Sequence, residues 1–315
     1  MHVKSLLNSV WLLMAFVAGG CASSTPTQVL IIPTASATSS ATSQPPSPIA
    51  VTLETDVPAL PTQSTQPSCE EWRTFPVVPT LSERTHALYE EGQRLGNNPR
   101  AFSKIGDGEI STAWFFTMFD LGEPYYDLGP FTNLAPAIQH FAGSFGRIGI
   151  AARRGFNTQR ILDPALSDPA LCESGESPLS CELRLHRPAF AILSLGTNQV
   201  WQPAEFEQGM RQILDVLLAN HVVPILSTKG DNLEGDHRIN QTIACLAREY
   251  DVPLWNFWAA IQPLPDQGLQ PDREHLTYGV TDFDDERAMQ TAWTTRNLTA
   301  LQALDAVWRG VSGQP

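Results

Sequence analysis

From about residue 80 onward, the chain shows two hydrophobic patterns. Some segments have apolar residues at helical spacing, and others are short, unbroken apolar runs. Residues 80–96 have the pattern TLSERTHALYEEGQRLG, which predicts a helix from Thr80, since Thr80 and Glu83 have capping-box spacing. AFAILSL, residues 189–195, is a continuous apolar run, as is typical of a strand buried on both faces of a parallel sheet. Other strands are predicted at 101–105, 147–151, 222–228 and 252–257, and other helices after Glu109 and at 134–141, 204–220, 238–250 and 284–308. This alternation predicts a three-layer α/β domain with a mostly parallel, five-stranded sheet.

Residues 22–68 have a different composition from the rest of the chain. They hold 26 Ser, Thr or Pro in 47 positions, no aromatic residue, and only Glu54 and Asp56 as charges. Such a segment buries too little apolar area to offset its ordering entropy. We therefore predict three parts: a signal peptide (1–21), a Ser/Thr/Pro tether (22–68) and one folded domain (69–315). A flexible tether of this length spans on the order of 40 Å.

The N-terminus has the proportions of an export signal. Lys4 precedes an apolar run at residues 10–17, which is too short to cross a bilayer. Ala-Gly-Gly before Cys21 resembles the lipobox of bacterial lipoproteins, and this resemblance implies that Cys21 is lipidated after cleavage. The chain would then be exported and lipid-anchored to the outer face of a bacterial membrane. The alternative is an ordinary signal peptide with an incidental cysteine.

The four remaining cysteines belong to a chain expected in an oxidising compartment, where disulfides form. Cys172 and Cys181 flank the polar loop CESGESPLSC, which predicts a bridge closing a short ring. Cys69 and Cys245 either pair with each other, or Cys245 is a buried small hydrophobe within a helical pattern.

The net charge of the chain restricts the classes of molecule that it is expected to bind. The net charge is −13, and an acidic surface repels phosphate backbones, which excludes a nucleic-acid partner. We expect no cofactor and a monomer whose ligand is a small molecule or a glycan ester.

Four loops at the predicted carboxyl ends of strands carry the candidate chemistry, because ligands bind there in parallel sheets. In chain order they are a Gly-Asp turn ending at Gly108, a turn with Gly155, a Gly-Thr-Asn turn with Asn198, and Asp272-Arg-Glu-His275. Their order resembles the four blocks of the SGNH hydrolases, also called the GDSL esterase and lipase family.

The resemblance implies a flavodoxin-like sheet and a site that cleaves acyl esters. It makes His275 the general base, with Asp272 orienting the imidazole. It makes the backbone N–H groups of Gly108 and Gly155, with the Asn198 amide, the donors to a developing oxyanion.

One position departs from the family. Gly108 stands where the nucleophilic serine is expected, and a glycine cannot form an acyl-enzyme. Three interpretations follow: a cleft kept for binding alone; hydrolysis by a water that His275 activates, or with Ser111 or Thr112 as a stand-in; or a likeness of fold with an unrelated use.

Two further polar segments and an aromatic group have open interpretations. Residues 228–240 hold three carboxylates and a histidine, which suit a divalent cation, a wall of the ligand site, or a solvated loop in which Asp236 caps a helix. Arg153 and Arg154 beside Gly155 would suit an anionic group. Trp255, Phe257 and Trp258 are interpreted as core residues, with a sugar platform as the alternative.

Overall fold

The computed structural model describes residues 68–314, so the predicted signal peptide, Cys21 and the tether up to residue 67 lie outside the described residues. The strands are β1 (Asn98–Gly106), β2 (Pro188–Ser194), β3 (Val223–Ser227) and β4 (Leu254–Trp255). The helices are α1 (Glu83–Arg94), α2 (Gly108–Ser111), α3 (Thr117–Leu121), α4 (Ala135–His140), α5 (Thr158–Leu162), α6 (Pro178–His186), α7 (Pro203–Ala219), α8 (Arg238–Glu249), α9 (Phe257–Ile261) and α10 (Ala292–Ser312). None of these helices is long and apolar enough to cross a bilayer.

The sheet is parallel throughout and has the order β1-β2-β3-β4. The α/β class with a parallel sheet is therefore confirmed, but the described residues form four strands and not five. Residues 147–151 make no strand, and only Ala152 forms a single parallel bridge with Gly106, on the side of β1 away from β2. The reason is that the Ile150 N–H donates to the Glu182 carboxylate at 2.8 Å and is not available to a ladder.

Three element boundaries also differ from the prediction. Helix α1 is capped by Ser82, whose hydroxyl accepts from the Thr85 N–H, and not by Thr80. Strand β4 has two residues because the Asn256 side chain caps α9 directly after it. Helix α10 begins at Ala292, since side-chain turns at Asp282 and Asp285 take up the preceding N–H groups.

The sheet divides the core into two apolar layers. Along β2 every residue is buried, as its unbroken apolar run predicts. Phe190 and Ile192 face the layer covered by α10, whereas Ala191 and Leu193 face the layer covered by α7 and α8. Because all four strands are parallel, their carboxyl ends lie at one edge of the sheet, where the loops are free to build a site.

Both disulfides are formed. Cys172–Cys181 closes a ring with a sequence separation of 9, as predicted, and Cys69 pairs with Cys245 over a separation of 176. Loop-closure entropy gives about 3 kcal/mol for the short ring and about 5 kcal/mol for the long one. The long bridge ties the first described residues to α8, at the point where the tether would leave the domain.

Candidate active site

A cleft of about 610 Å3 lies at the carboxyl ends of β1 and β2. Residues of all four predicted motifs line it: Gly108, Gly155, Asn198 and His275. Asp272 does not line the cleft and lies behind His275, to which it is hydrogen-bonded. Segments up to 167 positions apart in the chain therefore meet as the motif order predicts, while the catalytic roles of these residues stay a prediction.

The Asp272 carboxylate holds the His275 imidazole. His275 Nδ1 lies 2.8 Å from Asp272 Oδ2, and the other carboxylate oxygen accepts the N–H groups of Glu274 and His275 at 3.0 Å. These backbone hydrogen bonds lower the pKa of Asp272 to about 2, and the bond to Asp272 raises the pKa of His275. With Nδ1 occupied, Nε2 is the nitrogen left to take a proton from a group in the cleft.

We expect Asp272→Asn to lower the pKa of His275 toward the ordinary histidine value of about 6.5. The substitution keeps the shape of the side chain and removes its charge. A base must be neutral to act, so the acidic limb of any His275-dependent activity should also move to lower pH, while the rate falls because the imidazolium loses its stabilising partner. Nuclear magnetic resonance titration of the imidazole measures the shift without turnover.

Glu274→Gln is the matched control for this titration. Glu274 raises the pKa of His275 only through its charge and to a smaller extent than Asp272. The His275 pKa should therefore move less in Glu274→Gln than in Asp272→Asn. Equal shifts would mean that the hydrogen bond to Asp272 does not set the basicity of His275.

The three predicted oxyanion donors lie around the cleft. Within residues 68–314, neither the Gly108 nor the Gly155 N–H donates a hydrogen bond to another backbone group or side chain. Gly155 has φ +79°, a conformation that glycine adopts without strain. The Asn198 amide donates one N–H to the Phe156 carbonyl at 2.9 Å, which fixes the side chain and leaves its second N–H available.

Gly108 has open space where a side chain would lie. A Cβ built on it would meet only Arg154 Cγ, at the ordinary contact distance of 3.7 Å, and its φ is not in the left-handed region. The turn is therefore not closed around the glycine. The hydroxyls of Ser111 and Thr112 are engaged elsewhere, with the Gly108 carbonyl and the Trp114 N–H, and within the described part of the chain neither is hydrogen-bonded to His275.

A buried charge cluster under the cleft was not expected from the sequence. Arg296 is fully buried, its Nη2 donates to Ser194 Oγ at 2.7 Å, and its Nη1 lies 3.5 Å from Glu109 Oε2. Burial and the Glu109 carboxylate raise the pKa of Asp107 to about 7. Arg296 stands among other polar residues of α10, so the sequence alone gives no signal that indicates this cluster.

A second buried cluster corrects one interpretation of residues 228–240. Lys229 Nζ lies 2.5 Å from Asp231 Oδ1 and 2.7 Å from Glu234 Oε2, and all three side chains are almost fully buried. Asp231 and Glu234 therefore belong neither to a solvated loop nor to a metal site, since both are buried and ion-paired with the same ammonium. Asp231 also accepts the hydroxyl of Thr197 at 2.6 Å, which anchors the third motif. Asp236 Oδ1 accepts the N–H of Arg238, the first residue of α8, but the N-cap position belongs to His237 and not to Asp236 as the sequence suggested.

The rim of the cleft is aromatic on one side and basic on another. Trp114 and Tyr278 are both exposed, and their ring centroids are 5.0 Å apart. The Arg154 side chain is exposed and lines the cleft, whereas Arg153 packs over the Phe156 ring at 5.0 Å. Trp255 and Phe257 are fully buried in the core, so they provide no sugar platform.

Comparisons with known proteins find similarity over part of the chain. No protein-family model matches the chain. The chain is 30% identical over 114 residues to thioesterase 1/protease 1/lysophospholipase L1 of Escherichia coli, a match covering 32% of this chain and 55% of that enzyme. The chain thus spans about half the length of the curated relatives that it matches. This similarity supports the SGNH/GDSL-like hydrolase fold that the four motifs indicate.

Two solved structures are similar to the chain at lower sequence identity. A GDSL-like lipase from Bacteroides thetaiotaomicron is 13% identical, with a TM-score of 0.41, covering 70% of this chain and 97% of that one. An acetyl esterase variant crystallised with acetate is 12% identical, with a TM-score of 0.41, covering 66% of this chain and 99% of that one. These values are too low for the activity of either protein to be carried over.

Proposed function

We propose that this protein is a membrane-tethered SGNH/GDSL-type ester hydrolase-like protein whose reaction is hydrolysis of an acyl ester without an acyl-serine intermediate. One observation carries the proposal: His275, oriented by Asp272, faces the same cleft as the uncommitted N–H groups of Gly108 and Gly155. These are a general base and oxyanion donors, which an acyl transfer requires.

The missing hydroxymethyl group leaves water as the nucleophile. His275 Nε2 would remove a proton from a water molecule beside Gly108 as the water oxygen attacks the ester carbonyl. The N–H groups of Gly108 and Gly155 and the Asn198 amide would stabilise the negative charge that develops on the carbonyl oxygen. Without a covalent nucleophile the rate should be far below that of serine esterases, because loss of the nucleophile alone costs about 10⁶ in turnover in a serine protease.

The rim of the cleft indicates the chemical class of the ester. Trp114 and Tyr278 offer two aromatic faces at the mouth of the cleft, and such faces pack against sugar rings or apolar chains. We therefore propose an acyl group on a glycan or on a lipid as the substrate. The acidic net charge of −13 disfavours a polyanionic one.

A panel of short acyl p-nitrophenyl esters and acetylated sugars tests the reaction. We expect the wild type to hydrolyse at least one of these slowly, with the rate lost in His275→Ala. An activity that survives His275→Ala would place the chemistry outside this cleft and contradict the proposal.

A specific observation favours a second function, that of a non-catalytic surface binding protein. Gly108 removes the nucleophile and leaves the rest of the cleft intact. If the wild type hydrolyses none of the esters but binds an acetylated sugar in calorimetry, with binding lost in Trp114→Ala, the binding function holds in place of hydrolysis.

The proposal includes attachment of the chain through a lipid on Cys21, at the outer face of a bacterial membrane. Several acyl chains hold a protein stably to a bilayer, and the lipobox implies more than one. Detergent partitioning should move the expressed protein from the detergent phase to the aqueous phase on Cys21→Ser. If both forms partition alike, the lipobox interpretation is wrong.

A further inference from the structure

Glu109 follows Gly108 directly and lines the same cleft as His275. Its side chain is 21% exposed, so Glu109 is mostly buried although it lines the cleft. The four motifs give Glu109 no role.

The Glu109 side chain is mostly buried, but no hydrogen bond holds its carboxyl group within the described residues. Between Ser68 and Gln314, no hydrogen-bond donor contacts its carboxylate oxygens. The nearest cation is the fully buried Arg296, whose Nη1 stays 3.5 Å from Glu109 Oε2, beyond a good hydrogen bond. In the same region the Nε and Nη1 of Arg296 have no hydrogen-bond partner.

The charged groups around Glu109 have opposing effects on its pKa. Burial raises the pKa of Glu109, and the Asp231 carboxylate adds to this, whereas Arg296, Lys229 and His275 lower it. Asp107 precedes Glu109 by two positions, and the Glu109 carboxylate raises the pKa of Asp107. Asp107 Oδ1 accepts the Glu109 N–H at 3.1 Å. Two carboxyls beside one buried guanidinium are readily left with a shared proton. Glu109 is the more exposed of the two and the one able to pass that proton into the cleft.

We propose that Glu109 is a catalytic residue, the general acid that donates a proton to the leaving alkoxide while His275 acts as the base. In a serine esterase the histidine passes the proton that it took from the serine to the leaving alkoxide. With water as the nucleophile that route remains open to His275, and a protonated carboxyl group in the same cleft supplies a second donor for the alkoxide. This inference rests on the hydrolysis proposed above.

The steps balance as an ester hydrolysis. The water oxygen bonds to the carbonyl carbon as His275 Nε2 takes one water proton. The bond from carbon to the alkoxide oxygen then breaks, and the carboxyl proton of Glu109 passes to that oxygen, releasing an alcohol. The imidazolium of His275 returns its proton to the Glu109 carboxylate through solvent, and the products are one carboxylic acid and one alcohol.

Leaving-group dependence tests this role. p-Nitrophenolate leaves without protonation, whereas an ethoxide requires it, so p-nitrophenyl acetate and ethyl acetate share an acyl group and differ in need for an acid. We expect Glu109→Gln to lower the rate on ethyl acetate about 10²-fold or more and on p-nitrophenyl acetate by no more than about threefold. Equal losses on both esters would overturn the proposal.

Two variants separate this role from structural effects. Glu274→Gln removes a carboxylate beside His275 in the same cleft, and should leave the ratio of the two rates unchanged. Glu109→Asp keeps a carboxyl group near Arg296 but withdraws it from the cleft by one methylene, so it serves if Glu109→Gln fails to fold and should still lower the rate on ethyl acetate more than on p-nitrophenyl acetate. A ratio unchanged in Glu109→Asp would also overturn the proposal.

Infrared spectroscopy gives a readout that needs no turnover. At neutral pH the wild type should show a protonated-carboxyl stretch that is reduced in Glu109→Gln, and absence of that difference would refute the general-acid role. Inactivity of the wild type toward p-nitrophenyl acetate would instead count against the proposed hydrolysis. The two failures are therefore distinguishable.

Discussion

Gly108→Ser should hydrolyse a short acyl ester at least about 10²-fold faster than the wild type. The new Cβ would meet only Arg154 Cγ, at 3.7 Å, and the φ of residue 108 lies outside the left-handed region. The base is held by Asp272 and the oxyanion donors are uncommitted. One hydroxyl would thus complete an arrangement of nucleophile, base and orienting carboxylate. Release of p-nitrophenol from its acetate measures the gain.

Gly108→Ala is the matched control, because it adds the same Cβ without an oxygen. Both variants should gain up to about 1 kcal/mol in stability by restricting the unfolded chain, but only the serine variant should gain activity. His275→Ala introduced into Gly108→Ser should remove the gain. A folded Gly108→Ser no more active than Gly108→Ala would mean that His275 does not reach the nucleophile position, and would favour the binding function.

Lys229→Met should lower the free energy of unfolding by about 3–5 kcal/mol. The ammonium is 3% exposed and lies within 2.7 Å of both Asp231 and Glu234, whose side chains are 1% exposed. Removing it leaves two buried carboxylates without a balancing charge. Guanidinium denaturation of the oxidised protein measures the loss, and the Thr197 turn should loosen because Asp231 holds its hydroxyl.

An exposed ion pair in the same loop provides the comparison. Arg238 and Asp236 are hydrogen-bonded and ion-paired, but both side chains are about half exposed. Arg238→Met should therefore cost no more than about 1 kcal/mol. Adding Asp231→Asn and Glu234→Gln to Lys229→Met should recover part of the loss, since no buried charge then remains unpaired. Equal effects of Lys229→Met and Arg238→Met would show that burial does not control this cluster.

The apolar pattern predicts the α/β class and most elements well. Residues 189–195 indicate a strand buried on both faces because a central parallel strand excludes water on both sides, and β2 is such a strand. Residues 147–151 also contain apolar positions, yet they form no strand. The Glu182 carboxylate, distant in sequence, accepts the Ile150 N–H, which is then not available to a ladder.

For the candidate site, the sequence by itself determined the residue types and their order: Gly108 where a serine is expected, Gly155, Asn198, and Asp272 three positions before His275. That spacing fixes the Asp–His hydrogen bond locally. Only the tertiary structure decided which distant groups lie beneath the cleft, since Arg296 comes from α10 and reaches Glu109 across 187 positions. It also decided that Asp231 and Glu234 are buried against Lys229, because desolvation and charge pairing depend on packing between elements and leave no periodic signal along the chain.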